Sequence, residues 1–406
     1  MTPDDLHPHP HPRPDPHPVL AWCRGRSEEM TRLLEELVAI ESPSTEPSAV
    51  AAVARRVERE LSTLGIPGEL LPVDGGGPIL RARGAAGPSG GVMLLGHLDT
   101  VWDLGTLRRR PVRIENGRFF GAGSYDMKGG IVVLLYALKA LKAQPAAAAP
   151  EAGLPLPVTV FLTPLEEVGC ARYRDVMESA MRPCSAVLDF EPAWPGGAVK
   201  TQRKGSTTLT LRAHGVAAHA GADFARGANA ILELSRRLLD AAALTDLENG
   251  ITLNVGTVRG GTRANVVPDA AEAQIDVRFR TLHDGERACA AVESLAPTDP
   301  RIRLEVERGP FYPPLERTSG VIAAFGAARA AAAELGLPEL EEIATGGASE
   351  ASFAAALGLP TLDGMGPDGD GAHAENEHVI LASLPERAAL AALLIEKLAS
   401  SSPASR

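Results

Sequence analysis

The stretch GVMLLGHLDTV, residues 91–101, joins an uninterrupted apolar run to a His–Leu–Asp triplet. A short apolar run between glycines, Gly91 to Gly96, reads as a strand buried on both faces. His97 and Asp99 lie two residues apart, so on an extended chain both point to one side. Asp99 can then accept a hydrogen bond from one ring nitrogen of His97, fix its tautomer and leave the other nitrogen for a metal ion. By itself the triplet is equally an ordinary polar strand end.

Helices and strands alternate on either side of this strand. Arg26 to Ala39 and Pro47 to Leu64 carry apolar residues at helical spacing, and Ile79 to Arg83 reads as a strand. Met127 to Lys142 reads as a helix, Val158 to Leu162 as a buried strand, Arg172 to Met181 as a helix and Ala186 to Phe190 as a strand. Such alternation predicts an α/β fold with a mainly parallel sheet covered on both faces. The pattern changes near Gly205. Strands at Thr207–Ala213, Ile251–Val258, Ala271–Phe279 and Ile302–Glu307, with helices at Arg226–Ala243 and Asp284–Ser294, follow the order β-α-β-β-α-β of a ferredoxin-like unit. Helices resume at Ser319–Leu335, Ser349–Leu357 and Leu384–Ala399. The expected organisation is a catalytic domain at 19–198 and 309–400, an inserted domain at 199–308, and a disordered His/Pro tail at 1–18. Gln144 to Pro157 reads as a low-complexity surface loop.

The 406 residues carry a net charge of -11 and 45% hydrophobic residues. An acidic chain of this kind is a poor tracker of phosphate backbones, so no nucleic-acid partner is expected. No apolar stretch is long enough to span a bilayer, and no signal peptide is visible, so no membrane partner is expected. Cys23, Cys170, Cys184 and Cys289 form no CxxC pair, which excludes a thiolate zinc ribbon and fits a reducing cytoplasm.

Several segments place metal-type ligands after strands or in glycine-rich loops: His97 and Asp99, Asp126, Glu166 and Glu167, Glu191, and His373. Gly121-Ala122-Gly123 suggests a dinucleotide loop, but Asp126 stands where the third glycine belongs. Asp126 could equally cap a helix. Adjacent carboxylates at 166 and 167 repel unless a cation is near or one has a raised pKa. Together two imidazoles and three carboxylates suit two divalent metals, zinc by preference.

In chain order, GHLDTV (96–101), YDMKGG (125–130), EEVG (166–169), GVAAHAG (215–221), ANVVPD (264–269), DVR (276–278) and GAHAENEHV (371–379) resemble the acetylornithine deacetylase, succinyl-diaminopimelate desuccinylase and carboxypeptidase G family of metallopeptidases. The resemblance covers roughly residues 25–400 and is nearest the glutamate carboxypeptidase branch. It implies that His97 and Glu191 hold one zinc, that Glu167 and His373 hold the other, and that Asp126 bridges the pair. Co2+ or Mn2+ can substitute. It further implies that Asp99 orients His97, that Glu166 is the general base, and that His219 reaches the partner's site in a homodimer built on the inserted dimerisation and lid domain. Asn265 and Arg278 match substrate-binding positions. Arg203, Lys204 and Arg308, near the expected domain junctions, are further cations for an anionic substrate, and Arg308 completes the expected substrate-binding set. The implied activity is hydrolysis of an amide or peptide bond next to a free carboxylate, releasing glutamate or a similar amino acid. N-acyl amino-acid deacylation is the alternative. Glu350 departs from the family's usual Asp, and is expected to reshape one pocket wall.

Overall fold

A computed structural model describes residues 16–84, 91–144 and 156–400. The His/Pro run at 1–15 and residues 145–155 of the expected surface loop lie outside the described residues.

The chain enters through α1 (Pro18–Arg24), a helix the proline-rich composition hides. His17 Nδ1 accepts the Val19 N–H at 3.3 Å, and Pro18 sits in the first turn, where its missing donor costs nothing. The tail therefore stops short of residue 18. Helices α2 (Ser27–Ala39) and α3 (Pro47–Thr63) bury one stripe each, Met30, Leu33, Leu34 and Leu37 on the first. Strands β1 (Gly68–Leu71), β2 (Ile79–Arg83) and β3 (Val92–His97) follow, then α4 (Thr106–Arg109) and the hairpin β4 (Arg113–Glu115) and β5 (Arg118–Phe120). Helix α5 (Gly129–Lys142) is buried along most of its circumference. It leads to β6 (Val158–Thr163), α6 (Arg174–Met181), β7 (Ala186–Asp189) and β8 (Val199–Arg203).

Next come β9 (Gly205–His214), β10 (Ala218–His219), α7 (Ala230–Ala242), β11 (Thr252–Gly260), β12 (Val266–Val267), β13 (Ala270–Phe279), α8 (Leu282–Glu293) and β14 (Arg303–Tyr312). The antiparallel order β11-β13-β9-β14 is the ferredoxin-like arrangement expected from the sequence. Alternate residues Leu209, Leu211, Ile275 and Val277 face α7 and α8 in a core of their own. Helix α7 begins at Ala230 rather than Arg226 because Asn229 caps it, accepting the Leu232 N–H at 3.0 Å.

The chain closes through α9 (Ser319–Glu334), β15 (Glu342–Thr345), α10 (Ala351–Ala356), β16 (Thr361–Leu362), β17 (Gly369–Asp370), β18 (His378–Ile380) and α11 (Ser383–Ser400). The main sheet runs β1-β2-β6-β3-β7-β16, parallel from β6 to β16, with β1 and β2 as an antiparallel edge. Along β3, Val92 and Leu94 join the core under α2, α3, α5 and α11, while Met93 and Leu95 join the core under α6 and α10. Burial on both faces is why this strand reads as an unbroken apolar run.

One boundary moves. Strand β8 pairs in parallel with β15, and Val199 belongs to the larger core, so residues 199–203 pack with the main unit rather than the inserted one. Strand β14 also continues past residue 308 to Tyr312.

Candidate metal centre and its cavity

Strands β6, β3 and β7 are neighbours, and their carboxyl ends deliver acids and imidazoles to one edge of the sheet. His97, the last residue of β3, is buried. Its Nε2 lies 3.1 Å from Asp126 Oδ1 and 3.2 Å from Glu191 Oε1. Met127 packs across Gly96 so closely that a Cβ there would fall 2.4 Å from its Cε, and the Met127 sulfur accepts the His97 N–H. A side chain at position 96 would require Met127 to move.

Asp99 differs in detail from expectation. The close partner of His97 Nδ1, at 3.0 Å, is the Asp99 backbone carbonyl, with the carboxylate at 3.5 Å. That carboxylate instead accepts the Ser44 hydroxyl at 2.6 Å and the N–H groups of Glu166 and Glu167 at 3.2 and 3.3 Å. Asp99 thus fixes the ring through its main chain and the Glu166–Glu167 turn through its side chain.

Asp126 sits in a tight turn after Gly123, whose φ is +71°. The turn is held by Glu377, which sequence reasoning missed. This buried carboxylate accepts Trp102 Nε1–H at 2.7 Å and the N–H groups of Gly123, Tyr125 and Asp126 at 2.8, 2.9 and 3.1 Å. Glu377 and His373 share one loop, so the Asp126 turn and the His373 loop are tied together. His373 Nε2 stands 3.0 Å from Glu167 Oε2 and 3.3 Å from Asp126 Oδ2.

Ligand atoms of His97, Glu166 and Glu191 lie within 4.8 Å of one another, as do those of His97, Asp126 and Glu167. Glu167 Oε1 is buried with no hydrogen-bond partner among the described residues. An orphaned buried acceptor is costly unless a cation meets it. With imidazole and carboxylate donors and no thiolate, the residues fit divalent metal ions bound through nitrogen and oxygen. Burial, and after it the Glu191 carboxylate, push Glu166 well above the ordinary carboxylate range.

Asp126, Glu166, Glu167, Glu191 and His373 border a cavity of about 450 Å³ whose wall also includes Trp194, Lys200 and Arg203. Arg203 is buried, with its guanidinium on Asp363 and on the Gly347 and Ala348 carbonyls. The cavity does not gather the remaining expected residues. His219 lies on β10 and Asn265 just before β12, both exposed on the inserted unit. His219 Nδ1 accepts the Gly221 and Ala222 N–H groups at 3.1 and 3.0 Å, so the neutral ring carries its proton on Nε2, free to donate outward. Arg278 pairs with Asp276 at 2.9 Å. Arg308 also lies away from the cavity, its guanidinium taken up by Glu286 and Glu293 of α8 on the inserted unit.

Glu350 is a correction. The cavity wall is made by Gly347 and Ala348, while the Glu350 carboxyl turns into the core and accepts the Thr163 hydroxyl at 2.8 Å and the Tyr173 hydroxyl. Burial pushes its pKa from 4.5 up to about 7, against those two hydrogen bonds. The folded state then binds more protons than the unfolded chain between these values, so this group's contribution to stability falls as pH rises from 4.5 to about 7. Glu350→Gln is expected to flatten that part of the stability–pH curve, measured by urea unfolding. Parallel curves for variant and wild type would contradict it.

Among curated proteins, the chain is 29% identical over 379 residues to carboxypeptidase G2 of Pseudomonas sp. (strain RS-16), covering 90% of this chain and 88% of that one. It is 30% identical over 378 residues to succinyl-diaminopimelate desuccinylase of Corynebacterium glutamicum, covering 88% of this chain and 94% of that one. Among solved structures, aminopeptidase PepT of Bacillus cereus ATCC 10987 superposes with a TM-score of 0.75 at 21% identity, covering 92% of this chain and 99% of that chain. Residues 93–397 match the model of peptidase family M20/M25/M40, and with that span the chain belongs to this family of metal-binding hydrolases.

Proposed function

We propose that this hydrolase uses two metal ions, zinc in the native state, to cleave an amide or peptide bond next to a free carboxylate, releasing C-terminal glutamate or a similar amino acid. The observation that carries the reading is the convergence of Asp126, Glu167, Glu191 and His373 on a cavity that Glu166 also lines, with His97 buried behind them against Asp126 and Glu191. His97 and Glu191 would hold one ion, Glu167 and His373 the other, with Asp126 shared. Bound ions supply Lewis acidity to the scissile carbonyl and ease deprotonation of water. Glu166 takes a proton from the attacking water and passes it to the leaving amine. His219 donates from Nε2 to the oxyanion, from a second copy of the chain in a homodimer. Asn265 and Arg278 come from the inserted unit, proposed as the dimerisation and lid domain, to hold substrate oxygens. Four buried, unpaired cysteines fit a cytoplasmic setting.

The likeness to a desuccinylase supports a second reading, an N-acyl amino-acid deacylase. Release of free amino acid from a panel of dipeptides and N-acyl amino acids, with zinc present, separates the two. A carboxypeptidase is expected to favour free acids over the matching C-terminal amides by roughly 100-fold, the worth of a charge-assisted contact. Equal turnover of acid and amide would favour the deacylase, which reads the other side of the bond.

A further inference from the structure

Two basic side chains besides His373 reach the cavity wall, Lys200 and Arg203, and their circumstances differ. Arg203 is committed. Its Nε and one terminal nitrogen bind Asp363, the latter also 3.5 Å from Glu191, and the other terminal nitrogen binds the Gly347 and Ala348 carbonyls. Lys200, on β8, is only 8% exposed. Its main chain is fixed by the sheet, with its N–H on the Asp363 carbonyl at 2.8 Å. Among the described residues its ammonium has neither a hydrogen-bond nor an ion-pair partner. The nearest acids, Asp363, Glu191 and Asp126, act on it only through space, and an anion entering the cavity it lines would offer its three donors a direct partner. Arg278, the carboxylate anchor implied by family resemblance, is paired with Asp276 on the inserted unit and does not line the cavity. Lys200 belongs to the same unit as the metal-type ligands, so its reach into the cavity does not depend on where the inserted unit stands.

We propose that Lys200 is a specificity-determining residue that binds a carboxylate of the substrate. This rests on the reading of the site as an amide hydrolase that recognises a free carboxylate. Lysine is a compact point charge with rotatable donors, suited to a carboxylate oxygen without demanding a bidentate pose. The carboxylate has two possible sources, the α-carboxylate of the leaving amino acid and the side-chain carboxylate of a glutamate-like one.

The test compares the metal-replete wild type with Lys200→Met on three forms of one N-acyl substrate: the glutamate, its α-amide and the glutamine analogue. Lys200→Met should lower kcat/KM for the glutamate roughly 10- to 100-fold, mostly through KM. The analogue lacking the carboxylate that Lys200 binds should lose less than about 3-fold, and which analogue is insensitive identifies the source. Lys200→Arg, which keeps the charge, should recover part of the loss. Equal losses on all three substrates, or none, would overturn the proposal. Should the wild type turn over none of the panel, the functional reading fails by itself. Lys200 is then judged by calorimetric binding of free L-glutamate to the metal-replete protein. Binding that Lys200→Met removes would support the anion site. Equal binding by both proteins, or no binding to the wild type, would overturn it.

Discussion

Glu166→Gln is expected to lower kcat on the order of 10³-fold while leaving about two metal equivalents per chain in elemental analysis. The amide keeps the size of the side chain and cannot take a proton. The turn that carries it is pinned independently, through its backbone N–H on Asp99, so the loss should be chemical. Glu167→Gln is the contrasting case. Its carboxylate offers one oxygen to the His373 side of the site and leaves another orphaned, so its loss should lower metal content first. The reverse pattern would mean that base and ligand are exchanged between 166 and 167. The same variant tests the proposed exchange of His219 between subunits. Mixed with an inactive His219→Ala protein, Glu166→Gln should recover roughly a quarter of the wild-type rate, since half the dimers are hybrids with one intact site. No recovery after verified subunit exchange would assign His219 to its own chain.

Glu377→Leu should cost about 3–5 kcal/mol of unfolding free energy, read by urea titration, and weaken metal binding in calorimetry. Four donors meet on one buried carboxylate, and leucine would leave them all without an acceptor. Two of those donors, the Tyr125 and Asp126 N–H groups, set the path of the turn that aims Asp126. Glu377→Gln keeps one acceptor oxygen and should fall between the two. A stability loss under about 1 kcal/mol with unchanged metal affinity would mean that the turn holds itself.

What could be read in advance was local. The apolar run ahead of His97, the carboxylates after β6 and β7, and the alternating strands of the inserted unit all carry their signal within a few residues. Strand β1 and the β4–β5 hairpin went unread because they are short and largely exposed, with little burial to impose a pattern. Glu377 gave no sign of its role because all four of these partners lie more than 250 residues away in sequence. Arg308 and Lys200 show the same limit in opposite directions. A charge count finds cations near a junction, but only tertiary packing tells that Arg308 is taken up by α8 and that Lys200, without an ion-pair partner among the described residues, lines the cavity. The departure of Glu350 from the family's usual Asp points to a reshaped wall, yet that wall is made by Gly347 and Ala348 and the Glu350 side chain turns inward.

The order β6-β3-β7 also works as a ruler. Adjacent strands stand about 4.8 Å apart; β3 ends on His97, and β6 and β7 lead within a few residues to Glu166 and Glu167 and to Glu191, in adjacent lanes. The spacing of these residues is thus partly inherited from main-chain hydrogen bonding. Lengthening a surface connection elsewhere would leave it untouched. Adding a single residue within β3 would not: the side-chain alternation would reverse, His97 would face the opposite layer, and the sheet would remain a sheet with nothing to measure.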